Sequence, residues 1–158
     1  MSQPDITHIY ARMGECLWML QHVEHALYSF IAAKVEIKTP GALSQEAAQR
    51  ALDKHARNTL GTSVRIAREH GVLSSELLQQ IEWFKQERDW LIHRLTHTDG
   101  RELDVPSREQ NLLARLDHFA SAAKALQTRV GKEMEHFVIS MGISKQAIEA
   151  AAQKILTK

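Results

Sequence analysis

Apolar residues recur at spacings of three and four along most of this chain, and that rhythm commits it to helices. Between Ile6 and Ile37 they fall at Tyr10, Met13, Leu17, Leu20, Leu27 and Ile31, with one interruption at Glu24. Such spacing places one side chain per turn on a single helix face, whereas a half-buried strand would alternate. No segment alternates in that way. Of the three prolines, Pro40 and Pro106 stand where the rhythm breaks, so little interrupts the helical pattern.

Five helices are expected. The first runs from about Ile6 to Ile37 and is closed by Thr39-Pro40-Gly41. The second starts after Ser44, a good N-cap, and runs to His70-Gly71, with Gly61 marking a bend or a close crossing. The third starts after Ser74 and reaches about His97, where Thr98-Asp99-Gly100 stops it and a polar loop leads to Pro106. The fourth begins at Ser107, with Gln110 three residues on in a capping-box pattern, and ends near Gly142. Its stripe is Leu112, Leu116, Phe119, Ala123, Leu126, Val130, Phe137 and Met141. A short fifth helix follows Ser144, with Ile148 and Ile155 facing inward. The expected fold is all-α: an up-down bundle of four long helices plus a short C-terminal helix, with residues 1–158 as one domain.

The formal net charge is only +1, which excludes a protein that grips long nucleic acid by bulk electrostatics. Any RNA contact must be local, or come from a patch assembled by folding or dimerisation. The single cysteine, Cys16, has no internal partner and reads as core packing in a reducing compartment. No basic segment followed by an apolar one marks a signal peptide. The longest apolar stretch, around Cys16–Val35, is interrupted by Gln21, His22, Glu24 and His25, so no membrane association is expected and the cytoplasm is the default location.

The chemistry concentrates on the third helix. Ile81, Phe84, Leu91, Ile92 and Leu95 form one apolar stripe, and Arg88 lies at its centre. A guanidinium keeps its charge and is rarely buried without a partner. Glu24, in the gap of the first helix's stripe, is the expected partner in a bidentate pair. That pair reads equally as a fold-specifying salt bridge. His93 follows five residues after Arg88, and Asp89 stands four before it, where a carboxylate can fix an imidazole's tautomer and raise its basicity.

Arg88-Asp89-Trp90-Leu91-Ile92-His93 resembles the Arg-x4–6-His motif of the HEPN superfamily, and with Glu87 before it is close to the form seen in prokaryotic defence and toxin members. The resemblance covers roughly residues 6–141 and implies a helical bundle. It also implies metal-independent RNA cleavage without a cofactor, in which the ribose 2′-hydroxyl attacks the adjacent phosphate. By motif match His93 would transfer protons and Arg88 would neutralise charge on the phosphoryl oxygens, with Asp89 and Glu24 in support. The best-known toxin branch has a tyrosine two residues after the motif histidine. This chain has Leu95 there, which sets it apart from that branch and its nucleotidyltransferase partner.

Residues five apart differ by about 140° around an ideal helix, so Arg88 and His93 would not share a face. In the family, dimerisation brings two motif copies into one cleft. A homodimer is therefore expected, with RNA as substrate and an antitoxin or another defence protein as a further partner. Trp83 and Trp90, two aromatics seven residues apart, suit an isologous contact, or else they pack on a neighbouring helix.

Other signals point to less. His93 and His97 have a zinc-compatible spacing without the Glu of His-Glu-x-x-His, and His22 with His25 reads as partly exposed. Arg65, Arg68 and His70, with Arg57 before them, give the second helix a basic side that would meet RNA or simply be solvated. Two other readings stay open beside the nuclease: a silent HEPN-like bundle that binds RNA or a protein, and a helical adaptor in which the motif is coincidence.

Overall fold

The computed structural model describes residues 6–41, 44–98 and 105–156, and these are helical with no strand among them. In chain order the helices are α1 (Thr7–Glu36), α2 (Gln45–Ala56), α3 (Leu60–Glu69) and α4 (Ser75–Asp89). A π-helical turn (Trp90–Arg94) and the short α5 (Leu95–Thr98) continue α4, followed by α6 (Pro106–Ser140) and α7 (Lys145–Leu156). The α1 helix packs on α6 along one side and receives α2 and α3 on another, while α4 lies between α3 and α6. Phe84 of α4 and Phe119 of α6 stack with ring centroids 5.6 Å apart at the centre of the core. No helix among the described residues is long and apolar enough to cross a membrane.

The caps follow the sequence where a serine ends an extended residue. Ser44, Ser74 and Ser144 each accept a hydrogen bond from the backbone N–H three residues on, at 3.2 Å. Ser107 does not. The α6 helix starts one residue earlier, with Pro106 in its first turn, so the expected Ser107–Gln110 capping box is absent. The inward stripe of α6 from Leu112 to Val130 is buried as expected. Asp99, Gly100, most of the loop that follows and the side chain of Ile155 lie outside the described residues.

Two further expectations change. The second helix is not continuous: it breaks after Ala56, and Thr59 adopts an extended backbone and caps α3 by accepting from Thr62 N–H. Asn58 and Thr59 favour local side-chain bonds over helix interior, which explains the break. Gly61 marks neither the bend nor a close helix crossing: the chain breaks before it, and a Cβ there would meet only the flexible end of the Lys85 side chain at 3.3 Å.

The buried face of α1 is also rotated by one residue. It consists of Ile9, Cys16, Leu20, Val23, Leu27 and Ile31, while Tyr10 and Leu17 are 60% and 39% exposed. Both readings share Leu20, Leu27 and Ile31, but Val23 fills the apparent gap at 24. Glu24 therefore sits at the edge of the core, not within its stripe.

Candidate functional site

The edge position of Glu24 brings it to α4. Arg88 Nε donates to Glu24 Oε1 at 3.2 Å, and Arg88 Nη1 donates to Asp89 Oδ1 at 3.0 Å. Lys85 Nζ lies 3.6 Å from the other oxygen of Asp89. The side chains of Arg88 and Glu24 are 30% and 16% exposed, so the pair is half-buried rather than sealed. Burial works against the Arg88 charge, but the hydrogen bonds to Asp89 and Glu24 and the field of Glu24 outweigh it, and its pKa is raised. Among the described residues Nη2 has no hydrogen bond.

Tyr28 belongs to the same site, although its sequence context did not suggest it. It lies one turn after Glu24 on α1. Burial pushes its hydroxyl's pKa up, Glu24 adds to the rise and Arg88 opposes it, so the ring stands in the field of both charges. Its spacing of four from Glu24 was the available signal.

The turn between Arg88 and His93 is the least expected feature. From Trp90 to Arg94 the helix widens to i→i+5 bonding, and Leu95 N–H reaches Trp90 O. A wider turn holds more residues per revolution than the 3.6 of an α-helix. Residues five apart are rotated toward one another, so the offset between Arg88 and His93 is smaller than straight-helix geometry gives. The same turn lets Trp90, Leu91 and Leu95 all be buried, and turns Ile92 outward at 42% exposure. Ile92 was expected inward; the extra residue in the turn displaces it. Single π turns inside α-helices are frequent at functional sites.

His93 is exposed. It has no hydrogen bond with Asp89 among the described residues, because Asp89 is engaged by Arg88 and Lys85. The expected orienting pair is thus replaced by an acid that fixes the arginine. His97 is exposed as well, and no group of three metal-type ligands gathers around the two histidines among the described residues.

The tryptophans pack on the neighbouring helix. Trp90 is 4% exposed, and the Arg115 guanidinium of α6 lies over its ring, 3.7 Å from the centroid. Arg115 also makes a forked pair with Glu87, at 3.0 and 2.9 Å. Trp83 meets His118 of α6 edge-on, with centroids 5.3 Å apart. Trp90 is therefore not an open contact surface. Glu87 and Arg115 were missed because each reads as an ordinary charge flanking an apolar stripe.

The basic side expected on the second helix is largely neutralised, Arg65 by Glu69 at 2.7 Å and Arg68 by Glu82 at 2.6 Å. No known protein family, characterised protein or solved structure matches this chain. The site therefore rests on its own geometry and on the motif.

Proposed function

We propose that this protein is a metal-independent endoribonuclease of HEPN type, acting in phage defence or a toxin–antitoxin pair. The observation that carries the reading is an arginine fixed by two carboxylates, with one nitrogen uncommitted, five residues before an exposed histidine across a π turn. In this reading the 2′-oxygen of a ribose attacks the adjacent phosphorus and the bond from phosphorus to the 5′-oxygen breaks. His93 moves the proton, and Arg88 stabilises the charge gathering on the phosphoryl oxygens. The products are a 2′,3′-cyclic phosphate and a 5′-hydroxyl end.

A homodimer belongs to this proposal. With Trp90 buried, an isologous contact on this segment would be made through Ile92, His93 and His97, which are exposed. Purified protein incubated with total RNA in EDTA, followed by mapping of the end chemistry, tests the reading. A second reading, a catalytically inactive HEPN-like module that binds RNA or a protein, is favoured by the engagement of Asp89 with Arg88 instead of His93. Absence of cleavage by a folded dimer would select it.

A further inference from the structure

A groove runs between α4 and α6 on the side of α4 away from Glu24. Gln79, Gln80 and Trp83 face Ala122, Ala125 and Arg129 across a cavity of about 440 Å³. It exists because α6 presents alanines where a larger residue would close the space between the helices. The cavity opens at Ala125 and Arg129 into a shallower cleft of about 490 Å³, bordered by Lys124, Thr128 and Lys132.

The charge along this groove is one-sided. From His118 to Lys132 the chain contains Lys124, Arg129 and Lys132 and no carboxylate, a run bounded by Asp117 and Glu133. Among the described residues none of these three cations is in a salt bridge; Lys34, Lys38, Arg57, Arg94 and Lys145 share that state, but only these three gather along one groove. Among the residues that line the cavity the acid is Glu76, at the end remote from His118 and near Arg129. Cations left unpaired beside a cavity, in a chain whose net charge is only +1, form the local patch that an anionic ligand needs.

The other lining groups narrow the ligand. Trp83 is half-buried and braced edge-on by His118, which makes it a fixed aromatic wall of the groove. Gln79 and Gln80 are exposed amides that both donate and accept. An aromatic platform, amides beside it and a row of cations are the three elements that hold a single strand: stacking for a base, hydrogen bonds to its edges, and phosphate contacts. A purely acidic peptide would use the cations and leave Trp83 without a role.

We propose that the α4–α6 groove binds single-stranded RNA, with a base stacked on Trp83 and the following phosphates held by Arg129, Lys124 and Lys132. The choice of RNA rests on the ribonuclease reading above; the groove itself does not. Trp83 precedes His93 by ten residues, roughly 15 Å along the helix axis, so a strand seated here would be within a few nucleotides of the motif.

The test is fluorescence anisotropy of a labelled 2′-O-methyl oligouridine of about 12 nucleotides, which cannot be cleaved by 2′-hydroxyl attack, titrated in EDTA over a salt series. The combined variant Lys124→Ala, Arg129→Ala and Lys132→Ala should bind at least about tenfold more weakly, with a salt slope shallower by about 2 for three lost phosphate contacts. Trp83→Leu should also lose about tenfold and Trp83→Phe should recover most of it. Unchanged affinity and slope in the folded triple variant would overturn the proposal, even if Trp83→Leu fails to fold. Equal competition by polyglutamate would overturn it in favour of an acidic protein partner. Binding through the groove by a protein that cleaves no RNA would sink the nuclease and leave this site standing.

Discussion

Arg88 Nε lies 3.2 Å from a carboxylate oxygen of Glu24, and this bond ties α4 to α1 across 64 positions of chain. Glu24→Gln keeps the shape and one acceptor but removes the charge that offsets the guanidinium. A charge-assisted bond is worth about 1.5–3 kcal/mol, and partial solvent exposure lowers that, so a loss of about 1–2 kcal/mol is expected. Urea denaturation measures it. An unchanged midpoint would mean that Asp89 alone satisfies Arg88.

The Arg115–Trp90 contact makes a separate prediction. Arg115 stacks on a buried indole and forks to Glu87, so Arg115→Ala removes a cation–π contact and leaves Glu87, 16% exposed, unpaired. Stability should fall by about 2 kcal/mol, and the near-ultraviolet circular dichroism of the indole should change. If the π turn depends on Trp90 being held inward, hydrogen exchange at Leu95 N–H should accelerate more than at α4 amides. Equal acceleration throughout would show the turn to be independent of the stack.

How much of this was legible beforehand follows from what each element depends on. The helices could be read because burial on one face leaves a periodic trace, and the Glu24–Arg88 pair because charges beside apolar stripes need partners. The exact face of α1 could not, since two overlapping stripes share Leu20, Leu27 and Ile31, and only packing against α6 chooses Ile9, Cys16 and Val23 over Tyr10 and Leu17. The π turn left no trace in the apolar rhythm, which places Ile92 inward where the wider turn buries Trp90, Leu91 and Leu95 instead. Asp89 is held by Arg88 and Lys85 instead of His93, a pairing that the spacing of four between Asp89 and His93 did not reveal.

Cys16 is a buried thiol that donates to Leu116 O at 3.3 Å, and burial pushes its pKa up to about 11. It should be inert to a disulfide reagent near neutral pH and react only when the α1–α6 contact opens. Its labelling rate under native conditions should therefore follow urea concentration as global unfolding does. Rapid labelling of the folded protein would contradict the packing.

Glu36 gives the pH dependence. His55, 2% exposed on α2, lies 3.1 Å from Glu36 at the end of α1, with Lys54 at 3.3 Å. The hydrogen bond with His55 holds the Glu36 carboxyl below its ordinary value of 4.5, against the opposing effect of burial and with help from Lys54. A carboxyl whose pKa is depressed on folding contributes stability that is fully present above its unfolded pKa and is lost as pH falls through the folded value. The stability difference between the native chain and Glu36→Gln should thus be constant above about pH 6 and shrink below the unfolded carboxylate range near about pH 4. A difference that stays the same down to about pH 3 would mean that Glu36 is not held by this contact.

The last expectation concerns His93, which is exposed at the end of a turn whose interior is filled by Trp90, Leu91 and Leu95. Removing its ring takes nothing from the core, so His93→Ala should fold and melt as the native chain does. If the ribonuclease reading holds, that variant should lose about 10²–10⁴ in cleavage rate, the usual contribution of a positioned proton-transfer group. Arg88→Ala should abolish cleavage too, but it strands Glu24 at the α1–α4 contact and should destabilise the fold as well. Asp89→Asn distinguishes two roles for that acid. Asp89 contacts Arg88 and not His93, so the variant should weaken the hold on the guanidinium, lower the rate by less than His93→Ala does, and leave the pH profile of cleavage unshifted. A shifted profile would mean that Asp89 reaches His93 once RNA is bound. Cleavage that persists in pure His93→Ala protein, or that EDTA removes, would falsify the mechanism and leave a binding module in its place.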